Sequence, residues 1–136
     1  MQLFRTSTFL RRVLFADAAT CLAAGLLMTL GSGQLEQFLG LPVELLRYAG
    51  ISLFPFTAFL VYLATRENIS PTVVWTVIVL NALWTADSFL LLMSGWVAPT
   101  ELGYIFVTAQ ALGVAMFAVL EYFGLRKSAT AVIIPT

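Results

Sequence analysis

The sequence predicts an all-α membrane protein, an antiparallel bundle of four transmembrane helices with a short interfacial helix between the first two. Two observations lead there. Of 136 residues, 60% are hydrophobic and only 10% charged, against about 45–50% apolar and ~25% charged in soluble domains. Four stretches also approach or exceed the ~20 apolar residues that a bilayer-spanning helix needs. A soluble domain of this size has too little interior to bury so much apolar surface.

The first span is expected at 13–31, stopped by Gly31-Ser32-Gly33. After it, Leu35, Phe38, Leu39 and Leu41 mix with Gln34, Glu36 and Gln37. That pattern predicts a short helix lying on the outer leaflet, ended by Gly40 and Pro42. The second span is expected at 48–65, with Pro55 kinking it. The third is expected at 72–95. Ser70-Pro71 starts it, with proline where a missing N–H does no harm. Gly95 and Pro99 bracket the turn before the fourth span, at 102–125. Residues 126–136 are expected to be a short cytoplasmic tail of this single domain. Short second and third connections make consecutive helices antiparallel neighbours.

Orientation follows from the basic residues. Arg5, Arg11, Arg12, Arg66, Arg126 and Lys127 fall on one side, and only Arg47 on the other. Basic residues concentrate on the cytoplasmic side, so both termini are expected in the cytoplasm and the protein in the inner (plasma) membrane. Arg11-Arg12 before an apolar run also fits a secretory signal. Asp17 interrupts that run and no small-x-small site follows, so the first helix is expected to be retained.

Charge and composition exclude several function classes. Net charge is zero, which argues against nucleic acid as a partner. The single cysteine, Cys21, cannot form an intrachain disulfide or a dithiol pair. There is no histidine, hence no imidazole ligand or base. No catalytic, metal or cofactor motif is complete, so no enzyme activity, metal or cofactor is expected.

The candidate residues are the polar groups inside the spans. Ionisable groups cost about 2.5–3.5 kcal/mol each at a helix centre, so they face protein or water. Asp17 and Glu121 are each four residues from the inner end of their expected spans. They are expected just under the cytoplasmic surface, paired with snorkelling arginines or forming a paired-carboxylate proton or cation site. Asp87 is expected deeper, at the level of Gln110, and the two are expected to meet, directly or through water. Asn81, Trp84, Asp87 and Ser88 share about 120° of helix three, and Gln110 and Glu121 share about 60° of helix four. Facing one bundle axis, these stripes predict interhelical hydrogen bonds worth about 0.6–2 kcal/mol each.

Gly25-Leu26-Leu27, Phe38-Leu39-Gly40-Leu41-Pro42 and Leu45-Leu46-Arg47-Tyr48-Ala49-Gly50 look like segments of small bacterial four-helix membrane proteins. Asn81-Ala82-Leu83-Trp84, Ser94-Gly95-Trp96 and Pro99-Thr100 do as well. The chain in this respect resembles uncharacterised families of that kind and, distantly, the broad DoxX-like group. The resemblance implies a compact four-helix bundle and no particular activity.

Three functions are consistent with the sequence. The first is an accessory or assembly subunit, or a self-associating module, whose partners are the lipid bilayer and a larger membrane complex or further copies of the chain. The second is an oligomeric small-solute or proton-coupled transporter using Asp87 and Gln110. The third is a lipid or quinone binder.

Overall fold

The computed structural model describes residues 2–129 and 133–135. The elements in order are β1 (Gln2–Arg5), α1 (Thr8–Leu30), α2 (Ser32–Leu39), α3 (Val43–Thr65), β2 (Asn68–Ile69), α4 (Pro71–Ser94), α5 (Glu101–Ala129) and β3 (Ile133–Pro135). Helices α1, α3, α4 and α5 are each long and apolar enough to cross a membrane, the architecture of a multi-pass membrane protein.

Capping explains where the helices begin and why three outrun their apolar stretches. The Ser7 hydroxyl accepts from the N–H of Leu10 at 3.1 Å, so α1 starts at Thr8 rather than at 13. Arg11 and Arg12 then lie inside its first turns. Helix α3 starts after Pro42, with Glu44 in its first turn, where a carboxylate suits the positive end of the helix dipole. Ser70 and Pro71 start α4 as the sequence predicts, the Ser70 hydroxyl accepting from the N–H of Thr72 at 3.2 Å. At the start of α5, the Thr100 hydroxyl accepts from the N–H of Gly103 at 3.1 Å. That helix continues through Arg126 and Lys127, which suit its negative C-terminal end, to Ala129. The expected tail is therefore helical at 126–129 and a strand at Ile133–Pro135; 130–132 and 136 lie outside the described residues. Gly40 (φ 71°) ends α2 and Gly95 (φ 79°) ends α4, both in the left-handed region that glycine enters without a Cβ clash.

A three-stranded sheet in the order β2-β1-β3, both pairings antiparallel, closes one end. Phe4 pairs with Ile69, and both are buried. The Thr6 N–H donates to Glu67 O at 2.8 Å and its hydroxyl to Arg66 O at 3.0 Å. The Ser7 N–H donates to the Ser128 hydroxyl at 3.0 Å. The start of the chain thus ties the α3–α4 link to the end of α5.

Helix α1 is central. Its far half meets α3 at Gly25 and Gly50, where a Cβ built on Gly25 stands 3.1 Å from the Gly50 carbonyl. Its first turns lie against α5, with Leu10 packed on Gly124. Helix α4 packs chiefly on α5 and hardly touches α3. At the other end, Thr100 holds the α2 C-terminus, its N–H donating to Leu39 O at 2.9 Å and its hydroxyl to Phe38 O at 2.6 Å.

Candidate functional site

The space left between α3 and α4 is the setting for the polar residues. Asn81 of α4 is buried midway along the bundle and uses one amide group to join three helices. Its Nδ2 donates to Asp17 Oδ2 of α1 at 3.0 Å and to Glu121 Oε1 of α5 at 2.7 Å. An NH₂ group has two hydrogens, so a single asparagine serves both. The two carboxyl groups are brought side by side and are almost wholly buried, at 2% and 0% exposure. The Cys21 thiol, one turn beyond Asp17 on α1, donates to Asp17 Oδ1 at 3.4 Å. Glu121 Oε2 is buried and has no hydrogen-bond partner.

Asp17 is nine residues into α1 and Glu121 eight residues from the end of α5, about 12–14 Å from those helix ends at 1.5 Å per residue. Hydropathy alone cuts the spans short at the arginines, whereas both helices continue past them. One expectation is corrected: the acids do not pair with arginines among the described residues. Arg11 Nη2 donates to Arg66 O at 3.3 Å. The Arg66 guanidinium stands 5.4 Å from the Tyr62 ring centre, Arg126 5.9 Å from that of Tyr122, and the Lys127 ammonium 4.8 Å from that of Phe9. These contacts of Arg11, Arg66 and Arg126 are to rings and a carbonyl near the helix ends.

A second polar group lies further along α4 and α5. Trp84 Nε1 donates to Gln110 Oε1 at 2.7 Å. Gln110 Nε2 donates to the Ser88 hydroxyl at 2.8 Å and to Val107 O at 2.9 Å, and that hydroxyl donates to Trp84 O at 2.8 Å. Thr85 adds a bridge, its hydroxyl 3.0 Å from Asn81 O and 3.3 Å from Ala111 O. Gln110 makes no direct hydrogen bond to Asp87. Asp87 is exposed on the outer face of α4. Depth alone allowed the pairing, but Trp84 and Ser88 are one turn apart and face Gln110 together, whereas Asp87 is rotated about 100° from Ser88.

Both groups border one cavity of about 730 Å³ enclosed by α1, α3, α4 and α5. Asp17, Cys21 and Asn81 line one part, and Trp84, Ser88 and Gln110 another. The rest is largely apolar, with Leu53, Phe56, Phe106 and Phe117 among its walls. Ser52 and Pro55 of α3 and Leu80 of α4 line it and are also exposed, so it opens between those helices. Ala24 and Gly113 widen it; a Cβ on Gly113 meets nothing within 4 Å. In the sequence the cavity leaves only small residues such as Ala24 and Gly113 on the faces that turn inward, a pattern equally expected of close helix packing.

Of the expected candidates, Asp17, Asn81 and Glu121 form one group and Trp84, Ser88 and Gln110 the other, while Asp87 joins neither. Cys21 belongs with the first. Among the described residues, no three histidine, cysteine, aspartate or glutamate side chains are grouped so as to hold a metal ion. The arrangement suits a lipophilic molecule with a polar end. Its volume falls in the ~300–1,000 Å³ range of ligand sites, and it pairs apolar walls with a few convergent polar groups. Comparison with protein-family models, with curated proteins and with solved structures finds no match.

Proposed function

We propose that this protein is a non-enzymatic membrane binding protein that holds a lipophilic molecule, of lipid or quinone type, in the cavity between its four long helices. The cavity carries this reading: about 730 Å³, largely apolar, with hydrogen-bonding groups at two places and an opening between α3 and α4. The opening gives a ligand dissolved in the bilayer a lateral route in. The protein is an antiparallel four-helix bundle of the inner membrane, with α2 on the outer interface and both termini cytoplasmic. Six of its seven basic residues gather at the end closed by the sheet, which supports that orientation.

The test uses Trp84, which lines the cavity. With Trp75 and Trp96 replaced by phenylalanine, the remaining fluorescence reports on that wall alone. A neutral bromoalkane added to protein in nanodiscs is expected to quench it saturably. Gly113→Phe, which grows a ring into the open space, is expected to abolish the saturable part. Quenching that rises linearly and equally in both proteins would count against a ligand site.

A second reading, a self-associating module or accessory subunit, is favoured by Asp87. Its helix is the least covered of the four, with 17% of its apolar window buried against 39% in α1. An acid facing hydrocarbon costs about 2.5–3.5 kcal/mol near a helix centre, and a second copy or a partner helix over α4 relieves that cost.

A further inference from the structure

Donors and acceptors are not balanced on the cavity wall, and this narrows the ligand. The amide, indole, hydroxyl and thiol donors that line it are all spent within the protein. Both Asn81 Nδ2 hydrogens go to Asp17 and Glu121, and both Gln110 Nε2 hydrogens go to the Ser88 hydroxyl and Val107 O. Trp84 Nε1 donates to Gln110, the Ser88 hydroxyl to Trp84 O and the Cys21 thiol to Asp17. The other two lining hydroxyls, of Thr20 and Ser52, donate to Ala16 O at 2.9 Å and Ala49 O at 2.6 Å. One acceptor is left over, the carbonyl of Asn81. Its amide presents the NH₂ to the two carboxyl groups, which turns Oδ1 away from them. Among the described residues Oδ1 accepts from no group. Nor is it one of the buried side-chain atoms without a partner, which are Arg11 Nε, Thr29 Oγ1 and Glu121 Oε2. Asn81 is only 3% exposed and lines the cavity, so the open space its carbonyl meets is the cavity.

We propose that the ligand is a hydroxyl-bearing lipid whose O–H donates to Asn81 Oδ1. The inference rests on the lipophilic-ligand reading above. A head with only ether, ester or ketone oxygens brings acceptors to side chains whose donors are already used. Burying a polar group without a partner costs free energy, so the wall discriminates against such a head. Of the two ligand types above, a lipid with a free hydroxyl fits, and a quinone, with carbonyl oxygens alone, does not. Binding makes one hydrogen bond and neither forms nor breaks a covalent bond.

The test compares bromooctanol, its methyl ether and bromooctane, each brominated at the far end of the chain. Saturable quenching of Trp84 is read in nanodiscs of the protein lacking Trp75 and Trp96, with affinities expressed per mole of lipid. Bromooctanol is expected to bind about two- to tenfold more tightly than its ether, the yield of one hydrogen bond. The ether is expected to bind no more tightly than bromooctane. Asn81→Leu is expected to bring the alcohol and the ether to equal affinity. Saturable quenching by all three probes, with alcohol and ether equal in the protein that retains Asn81, overturns the hydroxyl proposal and leaves the cavity reading standing. A preference for the alcohol that survives Asn81→Leu overturns it as well. Absence of saturable quenching by any probe overturns the two together. The comparison of alcohol with ether needs no change at Asn81, so a variant that fails to fold does not remove the test.

Discussion

Replacing Asn81 with leucine keeps the branched shape of the side chain and removes the amide that joins Asp17 to Glu121. Two hydrogen bonds of 3.0 and 2.7 Å disappear, and both are buried. Interhelical hydrogen bonds in membrane proteins contribute about 0.6–2 kcal/mol each. The lost partners also leave two buried carboxyl groups facing each other, and each unsatisfied buried polar group costs about 1–3 kcal/mol. Allowing for overlap between these costs, Asn81→Leu is expected to lower unfolding free energy by about 2–4 kcal/mol. The assay is equilibrium unfolding in mixed detergent micelles, followed by the loss of helical circular dichroism. Converting the carboxyls to amides in the same background, with Asp17→Asn and Glu121→Gln, is expected to restore part of the loss, since the amides bond to each other. A loss smaller than about 0.5 kcal/mol, the size of an ordinary surface change, would refute the described network.

Other changes separate packing from open space. Gly50→Ala is expected to destabilise, because its Cβ would stand 2.6 Å from Thr29 Oγ1, 3.0 Å from Met28 Cβ and 3.1 Å from Gly25 O. Overpacking of this kind costs about 1–3 kcal/mol, measurable by thermal unfolding. Gly113→Ala, with nothing within 4 Å, is expected to leave stability unchanged or raise it by up to about 1 kcal/mol through helix propensity. Asp87→Leu removes the exposed acid of α4 and is expected to shift the protein toward monomer in analytical ultracentrifugation. An unchanged oligomer distribution would exclude Asp87 from any self-contact.

The four long helices were legible because apolar length is a physical requirement of spanning a bilayer, and Ser70-Pro71 and Gly40 mark boundaries by backbone chemistry that depends on no distant contact. The helix ends at Thr8 and Ala129 were less legible. Hydropathy stops at Arg11 and Arg126, but a helix continues through arginine readily once Ser7 supplies a cap. The sheet was invisible, since Gln2–Arg5 and Asn68–Ile69 become strands only by meeting across more than sixty residues. Angular periodicity put Asn81, Trp84 and Ser88 on one face, and all three make hydrogen bonds to neighbouring helices. It failed at Asp87, which was included at the edge of that face because it is polar and sits at the depth of Gln110. The cavity depends on how far α3 stands from α4, a distance that no local pattern encodes.

The central claim is that the space between α1, α3, α4 and α5 holds a lipophilic molecule. Native mass spectrometry of protein extracted from its membrane in mild detergent tests it most directly. A stoichiometric small-molecule adduct is expected on the unmodified protein and not on Gly113→Phe preparations of equal helicity. An unmodified protein carrying no adduct, or an adduct retained equally by Gly113→Phe, would contradict it.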